Sequence, residues 1–108
     1  MGARTQVVIK QNPHDVMLYS HWGSAKIWDL VKEVVGRGHR LNDEEYLARI
    51  IFDEMTVGAT GNTTGFGIGS GLHGDLDNHV VVDCKKQVIE YHQFNHDKVL
   101  MTEKFENL

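Results

Sequence analysis

The spacing of apolar residues divides the chain into short strands and two helices. Residues 4–10, Arg-Thr-Gln-Val-Val-Ile-Lys, are rich in β-branched positions, and residues 15–21, Asp-Val-Met-Leu-Tyr-Ser-His, form a second strand-like run. Between them Gln11-Asn12-Pro13-His14 is a turn cluster, so the pair predicts a β-hairpin. In the second run Val16, Leu18 and Ser20 share one face, and Met17, Tyr19 and His21 share the other.

The period then changes. Ile27, Leu30, Val31, Val34 and Val35 recur at i, i+3, i+4, i+7 and i+8, the stripe of an amphipathic helix. Ser24 is the expected N-cap, and Gly36 and Gly38 end the helix. A second helix is expected over about residues 43–56. Asn42 and Glu45 stand as a capping box, and Leu41 and Tyr46 take the hydrophobic-staple positions. Leu47, Ile50, Ile51 and Met55 form its buried stripe, with Ala48 and Phe52 beside it.

Seven of the eleven glycines then fall between Gly58 and Gly74, which excludes a third helix there. Thr64-Gly-Phe-Gly-Ile68 alternates as a short strand, and residues 69–78 read as a loop. His79-Val-Val-Val-Asp83 and Gln87-Val-Ile-Glu-Tyr-His92 are strands joined by the short link 84–86. Residues 97–108 are polar and weakly patterned, the pattern of a tail or arm after a single domain over 1–96. The order β-β-α-α-β-β-β predicts an α+β fold. An antiparallel sheet of about five strands carries two helices on one face. The second face is left for water, a ligand or another subunit.

Length and charge narrow the function. At 108 residues there is room for one domain with a modest core, which favours a homo-oligomer with shared sites. Eleven basic against fifteen acidic residues give a net charge of −4, which argues against general nucleic-acid binding. No run is long enough to span a membrane, and no apolar signal core opens the chain, so a cytoplasmic location is expected. The single cysteine, Cys84, cannot form an internal disulfide or a Cys-rich zinc site. It reads as an inert residue at a strand end, or as a nucleophile whose pKa Lys85 and Lys86 lower.

Four groups of residues could carry chemistry. Tyr19-Ser20-His21-Trp22-Gly23-Ser24 places rings, hydroxyls and an imidazole at a strand-to-helix junction. It suits either ligand binding or anchoring of the helix. The segment Thr60–Gly71 could cradle phosphate with backbone N–H groups or be a flexible loop; it is not a P-loop, because no Gly-Lys-Ser/Thr follows. His73, Asp75, Asp77 and His79 alternate, as ligands of a divalent ion would on a strand, but Gly74 and Asn78 suggest an acidic turn instead. No metal or other cofactor is expected. Arg49 lies between Glu45 and Asp53, so it is a helix-surface ion pair or a charge reaching a pocket.

Taken together, Tyr19-Ser-His-Trp-Gly23, Glu45-Tyr-Leu-Ala-Arg-Ile-Ile-Phe52, Thr64-Gly-Phe-Gly-Ile68, His79 and Val82-Asp83 resemble small proteins encoded by phages and prophages. The resemblance spans about residues 16–92. It implies a phage origin more than an activity; some small phage proteins of this size are oligomeric sponges for the cyclic-nucleotide signals of host defence. The domain is small, which favours shared pockets. Rings and hydroxyls cluster at a strand-to-helix junction, and a glycine-rich stretch is able to close over a ligand. The expected function is therefore sequestration of a small anionic ligand, with a cyclic-nucleotide signal the first candidate, in the cytoplasm of the host. The expected contacts are Tyr19, Ser20, His21, Trp22, Arg49, Thr64 and Phe66, and no residue set makes a complete catalytic machine. The alternatives are a small metal-assisted phosphodiesterase using His73, Asp75, Asp77 and His79, and a direct protein inhibitor of a host defence factor.

Overall fold

All five residues of β1 (Thr5–Ile9) are buried, the two polar ones included. Such a strand needs partners on both edges and cover on both faces. A computed structural model describing residues 3–93 and 98–108 shows how the chain supplies them. β2 (Val16–Ser20) returns antiparallel along one edge, with Thr5 opposite Ser20 and Ile9 opposite Val16. This is the hairpin that the Asn-Pro turn predicts.

After α1 (Ile27–Gly36) and α2 (Glu44–Met55), β3 (Phe66–Gly69) pairs antiparallel with the free edge of β2. Residues 70–77 then cross to the far side of the hairpin. There β4 (Asn78–Asp83) lies along β1 and parallel to it, with Thr5 opposite Asn78 and Ile9 opposite Val82. β5 (Val88–Gln93) and β6 (Met101–Lys104) continue antiparallel beyond it. The order is β3-β2-β1-β4-β5-β6.

The α+β class agrees with the sequence pattern, but the sheet has six strands and is mixed, not antiparallel with about five. The parallel pair arises because the glycine-rich segment carries the chain across the sheet instead of closing a hairpin between β3 and β4.

The sixth strand lies in the expected tail. Met101-Thr-Glu-Lys104 is an edge strand in which only Glu103 is partly covered, so burial leaves no apolar alternation to read. A 3₁₀ turn over Phe105–Asn107 follows. It buries Phe105 in the core, and Leu108 packs beside it, against Gly36 at the end of α1. Residues 101–108 therefore belong to the fold. The expected boundary at residue 96 lies outside the described residues.

The helices cover one face, as their stripes predict, except that Leu30 and Ile50 are only partly buried. Val7, Ile9, Leu18, Val80, Val82 and Ile89 meet Ile27, Val31, Val34 and Val35 of α1 and Leu47, Ala48, Ile51 and Met55 of α2. Full burial of an aliphatic side chain of this kind contributes about 1.5–3 kcal/mol.

The caps differ in register from expectation. Asp43, in extended conformation, accepts from the Tyr46 N–H at 3.2 Å and caps α2 in place of Asn42. The Asn42 side-chain oxygen instead accepts from Gln87 Nε2 at 3.2 Å. α1 begins after Lys26 with no side-chain cap, and the Ser24 hydroxyl donates to Asp77 at 3.2 Å.

The second face is covered in part by the chain's own glycine-rich segment. Gln6, 1 % exposed, points away from the helices. Its Oε1 accepts from the His73 N–H at 2.9 Å, and its Nε2 donates to the Gly71 carbonyl at 3.2 Å. The Asp77 N–H then donates to the Arg4 carbonyl at 2.9 Å, and Leu76 is buried.

If residues 101–108 hold the core, Phe105→Ala destabilises the protein by about 3–5 kcal/mol, the usual cost of truncating a buried phenylalanine. Urea denaturation measures it; a frayed tail would leave the midpoint unchanged.

Candidate functional site

The register of the first hairpin places Arg4 beside His21, one step beyond the Thr5–Ser20 pair. The His21 N–H donates to the Gly65 carbonyl at 2.8 Å, which continues the β2–β3 ladder past the strand end. Tyr19 projects onto the second face, two residues before. Its hydroxyl lies 3.1 Å from His21 Nδ1, and Arg4 Nε donates to the same nitrogen at 3.3 Å. With both groups directed at Nδ1, that atom is the acceptor and the ring proton sits on Nε2.

The strap of residues 71–77 completes this corner. The His73 ring packs on Tyr19 with centroids 4.8 Å apart, and Asp75 pairs with Arg4 at 2.9 Å. Trp22 adds the largest surface. It remains 59 % exposed, although its ring is held on several sides. It meets His21 edge-on at 5.2 Å and Phe66 at 6.1 Å. Below it lies Gly65, at φ 93°, where an added Cβ would stand 2.1 Å from Trp22 Cζ3. Only glycine fits that floor.

Tyr19, His21 and Trp22 are thus brought together; Phe66, paired with Ser20 in the sheet, touches the Trp22 ring, and exposed Thr64 lies in the bend two residues before β3. Ser20 and Arg49 are not part of this face. Ser20 is buried on the helix-facing side, where its Oγ accepts from the Trp22 N–H at 3.4 Å and lies close to Gly23. Its role is to shape the turn. Arg49 is an exposed residue of α2 that pairs with Asp53, as its i+4 spacing allows. It borders a separate apolar groove of about 280 Å³ between α2 and the β2–β3 edge.

Sequence reasoning missed Arg4 and assigned His73 and Asp75 to another role. Only the hairpin register could have indicated Arg4, and nothing in the glycine-rich segment indicates where it crosses.

The alternating acidic segment is dispersed. His73 goes to Tyr19, Asp75 to Arg4, Asp77 to Ser24, and His79 stacks on His92 at 4.5 Å. No group of three or more His, Cys, Asp or Glu among the described residues is arranged to hold a metal ion.

Cys84 is buried, and that burial pushes its thiol up to about 11, helped by the negative charges of Glu44, Asp83 and Asp43. Lys85 and Lys86 do not lower it. A protonated, buried thiol is a poor nucleophile.

No family model, curated protein or solved structure matches this chain. The chemistry must be read from the site itself. Its parts are an aromatic platform, an imidazole, a phenol and a guanidinium partly neutralised by Asp75. This set offers stacking and hydrogen-bond donors side by side, as small-molecule recognition requires. No helix among the described residues is long and apolar enough to cross a membrane.

Two outcomes follow. Gly65→Ala places a Cβ against Trp22 at positive φ and destabilises the fold by more than about 1 kcal/mol, read by denaturation. The thiol adds a pH dependence. Its folded pKa lies above its ordinary value of 9.0, so its stabilising contribution is complete below pH 9 and is lost as pH rises toward about 11. Denaturation midpoints should fall more steeply over that window in the parent protein than in Cys84→Ala.

Proposed function

We propose that this protein sequesters a small anionic ligand bearing a planar ring, of the cyclic-nucleotide class, on the face formed by Tyr19, His21, Trp22 and Arg4. The observation that carries this reading is the placement of Trp22. An indole more than half exposed is normally free to move, but this one is fixed by a glycine floor and two edge-on rings. A base stacks on its open surface with no ordering of the platform to offset. Arg4 and the His21 Nε2–H stand beside it as donors for phosphate oxygens.

The resemblance to phage-encoded proteins supplies the biological setting. The ligand is a signal of host defence, removed in the host cytoplasm. Net negative charge supports a small ligand over a nucleic-acid polymer. The outer edge of β3 supports a homo-oligomer. It is the end strand of the sheet, and its Ile68 is 66 % exposed.

Incubation with cyclic nucleotides, followed by heat denaturation and mass detection, tests this. Intact released nucleotide supports sequestration. A cleaved product supports a phosphodiesterase, and no retention supports a direct inhibitor of a host protein. Trp22→Ala should weaken binding by about 1–3 kcal/mol, roughly ten- to hundredfold. Trp22→Phe should lose affinity with the melting temperature held; a fall in melting temperature at constant affinity would make Trp22 structural only. Light scattering should give a multiple of 12.3 kDa, and a species of that mass at micromolar concentration would remove the oligomer.

A further inference from the structure

The opposite end of the sheet carries a second feature that the sequence reading left unused. The turn after β1 and the turn after β4 come together there, around an open cleft of about 560 Å³. Three of the eleven basic side chains of an acidic protein line it: Lys10, Lys85 and Lys86, with His14 beside them. Amides of Gln11 and Asn12 and the hydroxyl of Ser70 add neutral donors.

The backbone fixes these groups. The Lys10 N–H donates to the Val82 carbonyl at 3.0 Å, extending the parallel β1–β4 ladder one residue beyond the strand. The N–H groups of Lys85 and Lys86 both donate to Asp83 Oδ1 at 3.0 Å, which locks the turn that carries their side chains.

The two carboxylates of the cleft are occupied by this work. Asp83 holds its turn, and Asp15 accepts from the Gln11 N–H at 3.2 Å and from Lys10 at 3.3 Å. Lys85 also borders the acidic start of α2. Lys86 makes no ion pair among the described residues. Three ammonium groups therefore stand against two carboxylates where the turns after β1 and β4 converge.

We propose that this cleft binds a phosphate-chain anion, with Lys10, Lys85 and Lys86 neutralising its oxygens. Ammonium groups act on phosphate as point charges and need no planar match, so three on separate stems suit a multiply charged oxyanion better than a single carboxylate. The cleft volume matches small-molecule sites. The inference does not rest on the reading of the Trp22 face, which lies at the other end of β2.

Titration of the ¹⁵N-labelled protein with sodium pyrophosphate, at ionic strength held constant with sodium chloride, tests it by amide shifts. Saturable shifts over residues 10–15 and 83–86 are expected, with affinity at least tenfold weaker in Lys86→Gln. Lys32→Gln removes the same charge from α1 and should bind as the parent does. Adenosine diphosphate in a parallel titration distinguishes the source. Tighter binding than pyrophosphate assigns the cleft to a nucleotide, and equal binding assigns it to a bare phosphate chain. Shifts that do not saturate, shifts confined to residues 19–22 and 73, or equal affinity in Lys86→Gln and Lys32→Gln would overturn the proposal.

Discussion

Complete burial of β1 is the constraint from which the rest of the structure follows. Its backbone groups must pair on both edges, because an unpaired buried donor or acceptor costs about 1–3 kcal/mol. β2 and β4 meet that need. Its side chains must also be covered on both faces. Val7 and Ile9 are covered by apolar stripes on two helices. Gln6 cannot be covered that way, since its amide needs partners. The glycine-rich strap provides them through the His73 N–H and the Gly71 carbonyl.

That one amide therefore links fold to site. By holding residues 71 and 73 it brings His73 onto Tyr19 and directs the strap toward Asp75, which meets Arg4. The corner around His21 is built from both ends of the first hairpin and from a strap about fifty residues later in the chain. The strap ends where it delivers the chain to β4, so the same crossing that covers Gln6 also makes the β1–β4 pair parallel. The aromatic corner lies where β2 ends, and the basic cleft lies where it begins.

Sequence legibility followed one-sided burial. The stripes of α1 and α2 and the alternation of β2 were readable because each element has one buried face. β6 was not readable, because an exposed edge strand gains little from apolar residues. The strap was not readable either, because it is held by backbone groups and a distant glutamine, neither of which leaves a local pattern. Asn42 and Asp43 are both competent caps, and only the backbone conformation chooses Asp43. In the candidate site, Tyr19, His21 and Trp22 could be found as neighbours in sequence. Arg4 could not, because its place depends on cross-strand register. The ion pair of Arg49 was visible in its i+4 spacing to Asp53, and the structure shows that pair with Arg49 also at the border of the groove between α2 and the β2–β3 edge.

Amide hydrogen exchange at His73, compared between the parent protein and Gln6→Met, tests the central role of the Gln6 clamp most directly. Methionine keeps much of the shape and removes both hydrogen bonds. The His73 amide should be protected in the parent and exchange about tenfold faster or more in the variant, the scale of one lost hydrogen bond, while the amides of β4 stay protected. Exchange of the His73 amide at the unprotected rate in the parent, or at the same rate in both proteins, would contradict it.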